Sequence, residues 1–108
     1  MANKCVAFAL MLLLFLPALA HAAGQVCTIL PDKGTLVIQV GKMDEFLGLV
    51  RNKMTEEAQA DVACYVAKGT KVIITDWGIL SSTIRVLDGP GKGCVGDIPL
   101  EAYGTSCH

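Results

Sequence analysis

Residues 70–96 read TKVIITDWGILSSTIRVLDGPGKGCVG and carry the densest strand and turn signals of the chain. Residues 70–77 contain a nearly continuous run of β-branched side chains, which predicts a strand covered on both faces. Residues 82–87 alternate polar and apolar side chains, which is typical of a strand with one covered face. Gly78 ends the first strand, and the Gly-Pro-Gly-Lys-Gly run at 89–93 is the strongest turn signal in the chain.

Further short strands are expected on both sides of this stretch. They are predicted at residues 26–30, 35–40 and 94–96, with a 3₁₀ turn or a strand stub at 99–103. Residues 61–66 alternate in the manner of a strand, although a helix end capped at Gly69 fits the same letters. Because short strands joined by Gly-rich turns dominate, the sequence predicts a mainly β fold in the form of a small barrel.

One amphipathic helix is expected before residue 61. Its apolar side chains recur at three- and four-residue steps, at Phe46, Leu47, Val50, Met54 and Ala58. Asp44 and Glu45 precede most of them, where carboxylates favour the positive end of a helix dipole. The helix is therefore predicted over residues 43–53, with an extension to residue 60 left open.

Residues 1–22 have the layout of a secretory signal peptide. Lys4 precedes an unbroken apolar run over residues 5–16, and Pro17 and small residues lead to an Ala20-His21-Ala22 cleavage signal. The run is shorter than the roughly 20 residues of a membrane-spanning helix, so an uncleaved anchor is the less favoured alternative. Cleavage near Ala22 predicts a periplasmic or secreted protein with no stable membrane insertion.

The charge pattern disfavours a nucleic-acid partner. Lys4 is the only one of the 9 Lys and Arg residues in the leader, so residues 23–108 keep 8 of them against 10 Asp and Glu. The cations are scattered singly among carboxylates, whereas nucleic-acid binding needs a concentrated positive surface. An anionic membrane surface is disfavoured for the same reason.

Four cysteines remain after the leader, namely Cys27, Cys64, Cys94 and Cys107. An even number in a short exported chain predicts two disulfides, with three connectivities open. Because Cys94 and Cys107 are close in sequence and the tail has little else to hold it, we expect Cys94–Cys107 and Cys27–Cys64. The competing interpretation, a metal site, lacks a C-x-x-C pair and has only the terminal His108 to add, so no metal or other cofactor is expected.

Several short motifs in the second half resemble bacterial SH3-like (SH3b) domains. These are Lys68-Gly69-Thr70-Lys71-Val72, the strand ending Arg85-Val86-Leu87-Asp88-Gly89, the Lys92-Gly93-Cys94-Val95-Gly96 turn and the apolar Ile98-Pro99-Leu100 ending. The resemblance covers about residues 61–103 and implies a small SH3-like barrel. Residues 27–60 have no counterpart in a minimal SH3b unit and are expected to add an N-terminal strand and one amphipathic helix. The chain is therefore predicted to consist of a signal peptide (1–22), an N-terminal strand and helix elaboration (23–60), and a barrel with a disulfide-tied tail (61–108).

No enzymatic activity is expected. The Gly-rich turn lacks the Ser or Thr and the following helix that a phosphate-binding loop needs. Nucleophilic catalysis needs a base within hydrogen-bond reach of the nucleophile, and His108 lies at the chain end. Thiol redox chemistry would need a C-x-x-C pair, which is missing.

The candidate binding residues are aromatic. Trp77, at a strand end, Tyr65 and Tyr103 could form a shallow surface for a peptide or glycan. The alternative is that these rings complete a core that is short of large side chains. By resemblance, the expected function is that of an exported envelope module that recognises a peptide, a cell-wall fragment or a protein partner. A disulfide-stabilised structural or inhibitor-like protein acting on another exported protein is the alternative.

Overall fold

The computed structural model describes residues 24–108, and the proposed signal peptide lies outside them. The elements in chain order are β1 (Val26–Thr28), β2 (Thr35–Ile38), α1 (Met43–Arg51), α2 (Thr55–Gln59), β3 (Val62–Val66), β4 (Lys71–Asp76), β5 (Ser81–Val86), β6 (Val95–Pro99) and a 3₁₀ turn (Leu100–Ala102). The mainly β prediction is confirmed. The strand interpretation of residues 61–66 is also confirmed, as β3.

All six strands belong to one antiparallel sheet with the order β1-β4-β5-β6-β2-β3. The sheet is not closed, because β1 and β3 occupy its two edges without pairing with each other. The closed barrel expected from the sequence is therefore not formed. The strands β1 and β2 are integral to the sheet, and β2 lies between β6 and β3. The N-terminal strands and the later strands therefore form one sheet.

The core lies on one face of this sheet. Every strand contributes buried β-branched or cysteine side chains, two at alternate positions in β4 and in β5 and one in each of the other four strands. Its main members are Cys27, Val37, Val66, Val72, Ile74, Ile84, Val86 and Ile98, joined from the connecting segments by Ile29, Ala102 and Tyr103. The period-2 pattern of β4 and β5 therefore directs one apolar set of side chains inward, as a half-covered sheet requires.

The predicted helix is divided in two. Lys53 has a φ of 61°, and the amides of Lys53 and Met54 donate to the carbonyls of Val50 and Leu49. This paired arrangement is a Schellman motif, which ends α1 at Arg51. The helix was predicted to end at residue 53, two residues later. Its end is hard to recognise in the sequence because lysine, and not the usual glycine, occupies the left-handed position of the motif.

The two predicted disulfides are present, but the expected pairing is wrong. Cys27 is bonded to Cys107, and Cys64 is bonded to Cys94. Cys94–Cys107 was expected because the two residues are close in sequence. In the structure they are apart, because Cys94 lies beside the edge strand β3 and the tail runs beside β1. Each disulfide thus ties one edge strand of the open sheet to a neighbouring segment.

The C-terminal tail covers the free edge of β1. The amide of Val26 donates to the carbonyl of His108 at 3.1 Å, and the amide of His108 donates to the carbonyl of Val26 at 2.8 Å. Ser106 accepts from the Thr28 amide and donates to the Thr28 carbonyl through its hydroxyl. These bonds satisfy backbone groups that an exposed edge strand would offer to another chain.

We expect the two disulfides to contribute unequally to stability. On the chain-entropy model, the Cys27–Cys107 bond, with a sequence separation of 80, contributes about 4.5 kcal/mol. The Cys64–Cys94 bond, with a separation of 30, contributes about 3.7 kcal/mol. Denaturant unfolding of C27A/C107A and C64A/C94A should show the larger loss for the first pair. Non-reducing peptide mapping of the unmodified protein checks the connectivity, and a Cys94–Cys107 peptide would contradict it.

Two glycines should respond oppositely to replacement by alanine. A Cβ on Gly96 would lie 2.3 Å from the Ile38 carbonyl oxygen and 2.6 Å from Val37 Cγ1, so β6 would have to move away from β2. A Cβ on Gly48 meets nothing within 4 Å. Gly96→Ala should lower the free energy of unfolding by about 1–3 kcal/mol, and Gly48→Ala, inside α1, should raise it by up to about 1 kcal/mol. Urea titrations of both variants measure the two signs.

Candidate functional site

Tyr103 lies in the core and not on the surface. It is 1% exposed, and its hydroxyl shares a buried 2.8 Å hydrogen bond with that of Ser82. The tail positions it there, because Cys107 and the bonds of residues 106–108 hold the chain beside β1. Tyr103 therefore follows the core alternative of the sequence analysis and offers no ring to a ligand at the surface.

The other two aromatic candidates are exposed but lie on different parts of the sheet. Trp77 is 38% exposed and makes an edge-to-face contact with Tyr103 at 5.9 Å between ring centroids. Tyr65 is 55% exposed and donates a 2.6 Å hydrogen bond to the Lys33 carbonyl. In the strand order, β5, β6 and β2 lie between β4, which precedes Trp77, and β3, which carries Tyr65. The structure brings Trp77 and Tyr103 together and leaves Tyr65 apart from them.

The turn between β4 and β5 presents two bare aliphatic side chains. Ile79 is 91% exposed and Leu80 is 82% exposed, more than any other large apolar residue of the described chain. We call residues 77–80 the hairpin tip. Exposed apolar side chains occur singly on most proteins, whereas here two of them are adjacent on one short turn.

Hydrogen bonds to Ser82 fix the base of the hairpin tip. The Ser82 hydroxyl, itself bonded to Tyr103, accepts a 3.2 Å hydrogen bond from the Gly78 amide. A Cβ on Gly78 would lie 1.9 Å from the Ser81 carbonyl oxygen, so only glycine fits where the turn folds back on itself. The apolar pair is therefore held on a short, constrained support.

A groove of about 620 Å³ opens beside the hairpin tip. Leu80 forms part of its wall, Leu36 lies on β2, and Phe46 and Leu47 face it from α1. The groove exists because α1 covers the outer face of β2 incompletely: no residue of α1 is buried. Its volume lies within the range of about 300–1,000 Å³ that is usual for ligand sites.

The charged side chains that line this groove are both acidic. They are Asp44, in the first turn of α1, and Glu101, in the 3₁₀ turn, and both are exposed. Lys42, which precedes α1, has its ammonium group 3.7 Å from the Glu45 carboxylate and is partly neutralised by it. The groove therefore combines an aliphatic floor with a negative rim.

Asp97 positions the helical side of the groove. This nearly buried carboxylate accepts a 3.1 Å hydrogen bond from the Gly41 amide, just before α1, and a second bond from the Thr83 hydroxyl. It thereby links β5 and β6 to the segment that starts the helix. A charge-assisted bond of this kind is stronger than a neutral one, which favours a fixed helix start.

All four cysteines of the described residues are in disulfides, and residues 24–108 contain no cluster of three His, Cys, Asp or Glu side chains able to hold a metal. Asp61 has a buried carboxylate oxygen without a hydrogen-bond partner in this part of the chain, but it does not line the groove. Within the same range, no helix has the length and apolar character needed to cross a bilayer.

The sequence analysis missed the hairpin tip and the groove. Two adjacent aliphatic residues directly after Gly78, in a turn of four residues, were a visible signal for the tip. The groove had no comparable signal, because it depends on how far α1 lies from β2. No family model matches this chain, and no curated protein or solved structure is significantly similar to it.

Shortening the two contacting aromatic side chains should separate core from surface. Tyr103→Ala should lower the free energy of unfolding by about 3–5 kcal/mol, as for other fully buried aromatic residues. Trp77→Ala should cost less, about 1–3 kcal/mol, because part of its ring is already in solvent. Tyr103→Phe should cost about 1–2 kcal/mol through loss of the bond to Ser82. Thermal and urea unfolding measure all three, and an equal loss for both alanine variants would contradict the assigned burial.

Proposed function

We propose that this protein is an exported, non-catalytic binding module of the cell envelope that recognises a peptide or a protein partner. The observation that carries the proposal is the exposed pair Ile79 and Leu80 beside an aliphatic groove. Two exposed aliphatic side chains on a constrained turn do not stabilise the monomer, because they bury almost no apolar area within it. Binding surfaces, in contrast, are built from apolar anchors on rigid supports.

The fold proposal is a small SH3-like barrel that is open between β1 and β3, with a disulfide tying each of these edge strands to a neighbouring segment. The six antiparallel strands share one core, and the edge strands are tied down by Cys27–Cys107 and Cys64–Cys94. Such a framework keeps its loops at fixed positions without a large core, which suits recognition by a small domain.

A peptide or protein is favoured over a cell-wall glycan as the ligand. Sugar rings are commonly bound on exposed aromatic faces, but Tyr103 is buried and the Trp77 ring contacts it edge to face. The groove wall is mainly aliphatic, with Leu36, Leu47 and Leu80 facing it. Aliphatic surfaces suit apolar side chains of a peptide, which bind through burial of apolar area.

An inhibitor-like protein is the second candidate. The observation that favours it is the shape of the hairpin tip, where Ile79 projects into solvent and does not line the groove. A convex turn on a disulfide-braced support could enter a cleft of another exported protein. The two candidates differ in which residue matters most, Ile79 for the inhibitor and Leu47 for the module.

An oxidising compartment is supported by the covalent structure. Two disulfides join all the cysteines of the described residues, and such bonds persist in secreted and periplasmic proteins. The signal-peptide layout of residues 1–22 points to the same compartment.

Replacing the tip residues should abolish binding without unfolding the protein. We expect Ile79→Ser/Leu80→Ser to reduce capture of a partner at least about tenfold and to change stability by less than about 1 kcal/mol, because both side chains are exposed. The measurement compares retention on purified peptidoglycan with crosslinking to the exported proteins of the host.

Val95→Ser is the matched control, because Val95 is an exposed aliphatic residue at the opposite end of the β5–β6 pair. A partner retained by the control and lost by the tip variant supports the proposal. Retention on peptidoglycan that neither variant alters would contradict it. A loss with Ile79→Ser alone, but not with Leu47→Ser, would favour the inhibitor.

A further inference from the structure

We infer that the groove takes a cationic apolar segment of a partner protein, with aliphatic side chains on its floor and Lys or Arg at its acidic rim. This inference rests on the proposed binding function and adds the chemical class of the ligand. It combines two independent observations, an aliphatic floor and a rim whose charged lining residues are both carboxylates.

Three exposed leucine side chains line the groove. Leu36, Leu47 and Leu80 are each exposed although they face one another across the groove. The helix that should bury them supplies no buried residue of its own. Because apolar surface gains free energy in proportion to the area removed from water, a segment placed here would bury side chains from both sides of the groove.

The rim selects the sign of charge on the occupant. Asp44 and Glu101 are exposed and line the groove, and among residues 24–108 no Lys or Arg lines it. An anionic segment would bring like charges together in a partly desolvated place, whereas Lys or Arg would meet an opposite charge. Complementary charge at the edge of an apolar floor fixes the orientation of the ligand as well as its class.

The same charges disfavour a second copy of this chain as the occupant. In a two-fold symmetric dimer the same surface patch is present on both sides of the interface. Each side of such a contact would carry the same two exposed carboxylates, Asp44 and Glu101, without a Lys or Arg of the groove lining of residues 24–108 to offset them. An anionic lipid surface is disfavoured because its negative charge would repel the Asp44 and Glu101 carboxylates.

Binding of two synthetic peptides tests the inference. Both have leucine at the same positions, and one has lysine and the other glutamate at the remaining positions. Isothermal titration calorimetry measures the affinity of each peptide directly. The exported form of the protein should bind the lysine peptide at least about tenfold more tightly, and added salt should reduce this difference.

Two double variants with equal loss of charge locate the effect. Asp44→Asn/Glu101→Gln should weaken the lysine peptide about five- to tenfold. Glu56→Gln/Glu57→Gln removes two carboxylates from the first turn of α2, outside the groove, and should change the affinity less than about twofold. Asp44 also lies in a first helical turn, so the control matches its effect on the helix dipole. Thermal unfolding confirms that both variants are folded.

Several results would overturn the inference. Equal weakening by the two double variants would assign the effect to net charge, and equal affinity for the glutamate peptide would remove the role of the rim. A dimer in sedimentation that the lysine peptide does not dissociate would assign the groove to a second copy. Binding to zwitterionic vesicles in place of the peptide would assign it to a membrane.

The outcomes also separate this inference from the proposed binding function. If both peptides bind with equal affinity and Leu80→Ser abolishes the binding of both, the binding module stands and only the charge preference fails. If neither peptide binds and the hairpin-tip variant loses no envelope partner, both proposals fail.

Discussion

The Cys27–Cys107 disulfide is the bond on which the rest of this structure depends. It holds the C-terminal tail against β1, where residues 106–108 complete the backbone hydrogen bonds of the sheet edge. Tyr103, between the 3₁₀ turn and this tail, is buried in the core, and its hydroxyl is bonded to Ser82, which also accepts from the Gly78 amide. The C-terminal part of the chain is thus joined covalently to the edge strand β1 and by hydrogen bonds to the base of the hairpin tip.

The start of α1 is held in place by a polar contact. Asp97 joins the segment before α1 to the neighbouring strands through Gly41 and Thr83. The helix is held at its beginning, while its apolar face remains partly open over β2. The open floor is thus a consequence of where the helix is attached, and the proposed ligand site occupies the space that the helix does not fill.

The strands were largely predictable because their signals are local. The β-branched run of β4, the alternation in β5 and the glycine-rich turn after it are features of adjacent residues, and β3 was favoured as a strand by its alternation together with the strands that follow it. The split helix was not predictable, because Lys53 adopts a left-handed conformation that lysine seldom adopts. The disulfide pairing and the burial of Tyr103 depend on which segments meet at the sheet edges, and that information is not contained in short windows of sequence. Tyr103 was expected at the surface as one alternative and is buried, because its burial depends on contacts between distant segments. Trp77, the other candidate of this pair, is exposed and lies in the hairpin tip.

The two disulfides are nested, since Cys64 and Cys94 pair inside the loop that Cys27 and Cys107 close. A ribosome delivers the cysteines in chain order, so Cys64 is the first thiol with which Cys27 could react, and that bond is non-native. The native partner of Cys27 is Cys107, the last of these four cysteines in chain order. Oxidation that kept pace with delivery would trap the wrong bridge, and its rescue would require thiol–disulfide exchange. For the export proposed above, the order of the cysteines therefore favours delayed oxidation or the action of a disulfide isomerase.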